Sequence, residues 1–310
     1  MSKIAIGYDM REHLTRLVVT NKLTDSSRAD IIRALCAGNS VRATTRLTGA
    51  AKATVLKLLV EIGEFCETYQ DVVLRDLKTK RVEADEIWAF VGAKAKNATQ
   101  DGQGDIWTYT ALDADSKLMI SWLVGPRNHA NTHAFMADVA DRLGNRVQLT
   151  TDGLSWYVAA VENAFGWKGV DFAQLIKAYG SSLEAGPGKK YSPMECNGAI
   201  KTPILGKPDA DFVSTSYVER SNLALRMGNR RFTRLTNGFS KKAENHAHAV
   251  SLFFMYYNFC KPHGTLTKGN RGIKRTPAMA AGLTDHVWSV EEILAKMSGA
   301  IGGAESHGAN

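Results

Sequence analysis

The chain has 310 residues, enough for one large domain plus a small one, and its 39 Lys and Arg against 31 Asp and Glu leave a net charge of +8, which favours a polyanionic partner over a membrane. Its longest apolar stretches, such as Leu252 to Tyr257, fall far short of the roughly 20 residues that a membrane span needs, and the N-terminus is charged where a signal peptide would be apolar, so the expected location is the cytoplasm, associated with the nucleoid. Four cysteines, Cys36, Cys66, Cys196 and Cys260, form no CxxC pair, which excludes a zinc ribbon or a disulfide framework and leaves them as small buried apolar residues.

Residues 1–80 read as helical, with apolar positions recurring at three- and four-residue spacing. Ser26 or Ser27 caps a helix through Cys36, which Gly38-Asn39 ends. Ser40 caps the next, to about Leu47, and Thr48-Gly49 turns into a longer helix from about Ala51 to Tyr69. A short helix, a glycine turn and a second helix opening with Lys52 is the order of a helix-turn-helix, whose second helix enters the major groove of DNA. Arg42, Arg46, Lys52 and Lys57 fit that reading; an ordinary helical cap is the alternative. Leu74 to Val82 reads as a charged linker.

From Val82 the apolar period becomes that of strands. Val82 to Gly92, Asp105 to Leu112 and Leu118 to Gly125 predict an antiparallel meander. A helix capped by Asn131 or Thr132 runs to Leu143, followed by a strand from Val147 to Thr151, a helix from Ser155 to Phe165 and a strand from Phe172 to Tyr179. Residues 180–211, rich in Gly, Pro and Ser, read as an insertion or loop. Helices are then expected over Ser216 to Met227 and Ser240 to Cys260, and the glycine-rich last dozen residues read as disordered. The fold class is α/β, a mixed RNase H-like sheet flanked by helices, behind an N-terminal all-α helix-turn-helix domain. The expected boundaries are 1–80 for the helix-turn-helix and linker, 81–260 for the catalytic domain, and 261–310 for a partly disordered tail.

Three acids carry the expected chemistry. Asp85 lies inside an apolar strand, where an ionised group is costly unless a cation neutralises it, although Glu83 and Glu86 flank it and either could be the ligand instead. Asp152 follows a strand and precedes a glycine, which an Asp-Gly turn would also explain. Glu219 lies in the first turn of a helix, where the helix dipole alone would favour it. Together, such carboxylates hold two Mg²⁺ ions, or Mn²⁺, for phosphoryl transfer. Around Glu219 the cations Arg220, Arg226, Arg230, Arg231, Arg234, Lys241 and Lys242 are expected to line DNA phosphates. His246, His248 and His263 read as packing or surface residues.

Several motifs in order resemble the DDE transposases of bacterial insertion sequences, and most of all the insertion-sequence-one family. They are Ala84-Asp85-Glu86-Ile87-Trp88-Ala89-Phe90-Val91-Gly92, Thr151-Asp152-Gly153 and Tyr217-Val218-Glu219-Arg220-Ser221-Asn222 with Arg226. Downstream, Arg231 to Ser240, Tyr257-Asn258, Lys261-Pro262-His263 and Arg275-Thr276-Pro277-Ala278 continue the likeness. The resemblance implies an RNase H-like fold, Mg²⁺ dependence, cleavage at terminal inverted repeats and transfer of the freed 3′-hydroxyl into target DNA. It makes Asp85, Asp152 and Glu219 the catalytic acids, with Glu195 the nearest rival for the third, and gives Arg226 the basic position that follows the glutamate. The zinc-binding cysteines found in some relatives are missing. A homodimer or higher homo-oligomer is expected, since two DNA ends must be held at once. The alternatives are a nuclease of the same fold without strand transfer and a non-catalytic DNA-binding remnant.

Overall fold

A computed structural model of the protein describes residues 23–166, 169–179, 196–233 and 236–306. Three helices come first: α1 (Asp25–Cys36), α2 (Val41–Thr48) and α3 (Lys52–Val73). The α1 cap is Thr24, one turn ahead of the expected serines, because its hydroxyl accepts from Ser27 N at 3.2 Å. Ser40 caps α2 as expected, and Gly49 closes it with φ 71°, a left-handed position that suits glycine.

These helices share one hydrophobic core with the rest of the chain. Helix α3 buries Val55, Leu58, Leu59, Ile62 and Cys66, and its Gln70 side chain donates to Ser251 O at 3.3 Å. The stretch expected to be a linker is also tied down, with Leu74 and Leu77 buried and Leu77 bridged to Leu143. Arg142 is fully buried beneath it. Its guanidinium meets Asp71, Asp138 and the carbonyls of Gln70 and Leu74, so the buried charge is fully compensated. Cys36, Cys66 and Cys260 converge in this core as free thiols, and burial pushes all three thiols up, keeping them protonated.

The sheet follows as β1 (Arg81–Val91), β2 (Gly104–Asp113), β3 (Met119–Gly125), β4 (Gln148–Asp152), β5 (Asp171–Tyr179) and β6 (Cys196–Leu205), in the spatial order β3-β2-β1-β4-β5-β6. The pairs β1–β2, β2–β3 and β5–β6 are antiparallel; β1–β4 and β4–β5 are parallel. This mixed α/β sheet is compatible with the expected RNase H-like architecture. The correction lies in residues 180–211, where 196–205 form an edge strand instead of loop. Helices α4 (His129–Arg142) and α5 (Trp156–Phe165) make the crossovers. Phe135 of α4 packs on Tyr109, which stands opposite Glu86, so both helices cover the face to which Glu86 points.

The other face carries α6 (Ser216–Gly228) and α7 (Ala243–Met255): Asn222 of α6 bonds Thr110, and Phe254 of α7 packs on Trp122. Helix α7 starts later than expected because Ser240 turns away to bond His246, and it ends in a π-helical turn, Tyr256–Cys260. The C-terminal segment follows as further helices. It forms α8 (Gly264–Gly269), α9 (Pro277–Ala280) and α10 (Val290–Ser306), because Trp288, Val290, Ile293, Leu294 and Met297 all bury apolar surface in the core. No helix among the described residues is long and apolar enough to cross a membrane.

Candidate metal centre

Parallel pairing of β1 with β4 runs from Arg81↔Gln148 to Ala84↔Thr151, so the next residues along, Asp85 and Asp152, stand side by side where β4 ends. One ligand oxygen each from Asp85, Glu86 and Asp152 lie within 4.8 Å of one another. Successive residues of a strand point to opposite faces, yet both Asp85 and Glu86 reach Asp152, which lies one residue past the last β1–β4 pair. Sequence reasoning named Glu86 only as a flanking alternative; here it is a full member of the cluster.

Asp85 is fixed from the α6 side. Asn222 Nδ2 donates to Asp85 Oδ2 at 3.0 Å, and Thr110 Oγ1 donates to Asn222 Oδ1 at 3.0 Å and to Asp85 O at 3.1 Å. Glu86 is fixed from the other face by Arg127, whose Nη2 lies 3.4 Å from Glu86 Oε2 and 3.9 Å from Asp152 Oδ2. The Glu86 side chain is 1% exposed and that of Asp152 38%, so the cluster opens to solvent through Asp152. Asp152 Oδ1 accepts from Leu154 N at 3.1 Å, and Gln174 braces the turn from β5 through the carbonyls of Asp152 and Leu154.

One guanidinium stands against three carboxylates, and the acidities respond. Burial first, then the Asp152 charge, pushes Asp85 up to about 6. The same two causes push Glu86 up to about 7, with the Tyr157 hydroxyl and then Arg127 offsetting only part. Glu86 Oε1 and the Tyr157 hydroxyl are both buried, and the hydroxyl is directed at Glu86. A buried carboxylate crowded by two others is costly. Three hard oxygen donors converging around it fit a divalent cation such as Mg²⁺ or Mn²⁺.

Glu219 stands outside this cluster. Lys177 of β5 pairs with it and Thr215 donates to it, although its charge is felt at Asp85. Glu83 lies further back on β1 and caps α6, accepting from Tyr217 N at 2.7 Å and Val218 N at 2.9 Å. Glu195 and Arg234 lie outside the described residues.

The expected DNA-contacting cations divide into groups. Arg42, Arg46 and Lys52 from the N-terminal helices line a groove of about 790 Å³ whose other wall carries Arg230, Arg231 and Lys242 and which, among the described residues, no carboxylate lines. Lys57 is exposed beside Glu61 at 3.8 Å, Arg220 is exposed on α6, and Arg226 is half-buried further along it.

No family model matches the chain, and no curated protein matches it. The solved structures similar to it include these two. One is Aquifex aeolicus Argonaute, with 13% identity and a TM-score of 0.26 over 57% of this chain, which spans 28% of that protein. The other is a chain of a pre-cleavage Mos1 transpososome, with 11% identity and a TM-score of 0.26 over 77% of this chain and 79% of that one.

Arg127, Asn222, Tyr157 and Lys177 were given no role in the sequence reading. Asn222 alone left a signal, three positions after Glu219 and so on the same helical face.

Proposed function

We propose that the protein is a metal-dependent phosphoryl-transfer enzyme acting on DNA: a transposase that cuts at the ends of its element and joins the freed 3′-hydroxyl to target DNA. The observation that carries this reading is the convergence of Asp85, Glu86 and Asp152, with the Glu86 carboxylate buried. The resemblance of the surrounding motifs to insertion-sequence transposases supplies the finer part, strand transfer and the element's ends.

Asp85 and Asp152 would hold the metal from adjacent strands, and Glu86 would complete the set from the face of α4 and α5. Divalent cations held there would supply Lewis-acid activation of the attacking oxygen and stabilisation of the leaving one. Asn222 keeps the Asp85 carboxylate aimed at the cluster. Arg127 faces both Glu86 and Asp152 and is placed to meet a non-bridging phosphate oxygen beside them. In the first step a water oxygen bonds to phosphorus as the P–O3′ bond breaks, leaving a 3′-hydroxyl and a 5′-phosphate. In the second, that 3′-hydroxyl attacks a target phosphorus and releases a new 3′-hydroxyl there. Glu219, salt-bridged to Lys177, becomes available to the cations when Lys177 turns to a DNA phosphate. The helix-turn-helix reading of α2 and α3, and a homodimer or larger assembly that holds two ends together, belong to the same proposal.

The test compares Glu86→Gln with Glu219→Gln on oligonucleotides carrying the element's ends, with cleavage and strand transfer of pre-cut ends scored separately. Glu86→Gln is expected to lower Mg²⁺-dependent cleavage by roughly 100-fold or more. Cleavage that survives both this substitution and Asp85→Asn would refute the site. Cleavage without any joining would reduce the protein to a nuclease.

A further inference from the structure

The strand that carries Glu86 continues outward as an aromatic row. Glu86, Trp88 and Phe90 alternate onto one face of β1, and Trp107 of β2 stands opposite Trp88. Tyr109, opposite Glu86, is fully covered by α4, but Trp88, Phe90 and Trp107 are only partly buried.

The row is continuous with the acid cluster at one end and the basic groove at the other. Arg127, beside Glu86 and Asp152, lies 4.8 Å from the Trp107 ring centre. Trp88 packs on Phe90 with ring centres 5.7 Å apart, and Phe90 packs on Phe239 at 4.7 Å. Phe239 lines the groove, and Lys241 Nζ sits 3.2 Å from its ring centre, while Lys94 Nζ is 5.8 Å from that of Trp88. At about 3.4 Å per residue, Glu86 to Phe90 spans about 13 Å, the length of roughly four stacked bases. In the groove, the half-buried Arg231 guanidinium bonds the neutral Ser240 hydroxyl at 3.2 Å and meets no carboxylate among the described residues. A half-buried cation without a counter-ion is a ready partner for an anion.

We infer that this row is a track for an unpaired DNA strand, whose bases stack on Trp88 and Trp107 next to the acid cluster and whose phosphates run on into the groove over Arg231. Partly open rings with mobile cations on them are what sequence-tolerant single-strand binding uses. Lys94 and Lys241 leave the ring faces for the phosphates as bases take their place. The inference rests on the acid cluster being the phosphodiester-cleaving centre, since that is what brings a strand to this face.

The test measures binding in EDTA, where no cleavage is needed. A single-stranded oligonucleotide containing 2-aminopurine and its duplex form are titrated against the whole protein. The wild type is expected to quench the 2-aminopurine in the single strand. Trp88→Ala and Trp107→Ala are each expected to lose on the order of 10-fold in single-strand affinity and most of the quenching, with duplex affinity unchanged. Trp88→Phe and Trp107→Phe keep a ring and are expected to retain binding, which separates stacking from misfolding. Unchanged quenching in both alanine variants would overturn the track, as would equal losses for single strand and duplex. Normal quenching by a wild type that cuts no DNA in Mg²⁺ or Mn²⁺ would leave the track standing and remove the cleavage reading instead.

Discussion

Replacing Asp85 with Asn removes a ligand and, without metal, stabilises the protein. The Asp85 carboxyl is pushed from 3.8 up to about 6 by burial and by Asp152. At 1.36 kcal/mol per pKa unit, holding it ionised at neutral pH costs up to about 3 kcal/mol. The direction with pH follows. An acid whose folded pKa is raised binds its proton more tightly in the native chain, so stability is full below about pH 4, falls as the pH rises through about 6, and is flat above. Glu86, raised to about 7, extends the fall to that pH. Asparagine in place of Asp85 carries no charge, lifts the repulsion on Glu86 and Asp152, and can still bond Asn222 through a flipped amide. For a chain of this size, about 3 kcal/mol is about 5 °C in melting temperature. Thermal unfolding at pH 7.5 in EDTA is expected to show Asp85→Asn melting higher than wild type. Adding Mg²⁺ or Mn²⁺ is expected to raise the wild type, by mass action, and to leave the variant unmoved. A variant that melts lower in EDTA, or gains as much from metal as wild type, would refute the claim that Asp85 is a strained, metal-awaiting carboxylate.

Two further outcomes test the frame that holds the site. A Cβ on Gly63 would lie 2.4 Å from His248 Cβ and 2.7 Å from its Cα, where α3 crosses α7, so Gly63→Ala is expected to cost about 3 kcal/mol in urea unfolding; a change below about 0.5 kcal/mol would mean that α3 is not clamped to the body. His246 is fully buried against the Ser240 hydroxyl at 2.7 Å, and burial, then Arg231, lowers its pKa from 6.5 to about 3. The unfolded chain takes a proton there that the native chain refuses, so stability is lost as the pH falls from about 6.5 toward 3. His246→Gln is expected to flatten that acid limb of a pH-stability profile, and an unchanged limb would place its cause elsewhere.

The core of the sheet was legible because its strands are buried runs. Within β1, β2 and β3 most residues are buried and rich in Ile, Val and Trp, bounded by turns such as Asp101-Gly102-Gln103-Gly104. Strand β6 was not legible, for the converse reason. It lies at the sheet edge, exposes Ile200, and carries Gly198 and Pro203, residues that an edge tolerates and a central strand does not. Asp85 and Asp152 stood out by their places on strands. Whether Glu86 or Glu219 joins them could not be read, since strand alternation puts Glu83 and Asp85 on one face of β1 and Glu86 on the other, and only the tertiary fold decides what covers each. Arg127 left no signal at all, because it reaches Glu86 from a loop forty-one positions away.

One mismatch in strand length accounts for both the acid cluster and the aromatic row. Strand β1 has 11 residues and β4 has 5, so their pairing stops at Ala84. Beyond it, the β4-side edge of β1 gains no strand partner among the described residues until Ser240 bridges Val91. At the near end of that gap the outgoing chain of β4 leaves Asp152 level with Asp85, beyond the carboxyl end of a parallel strand, where crevices form. Along the rest of the gap, Trp88 and Phe90 lie at an uncovered edge, where a longer β4 would have buried them. Extending β4 would therefore close the crevice and cover the rings together, which ties the chemistry at Asp85 to the surface that would receive the strand being cut.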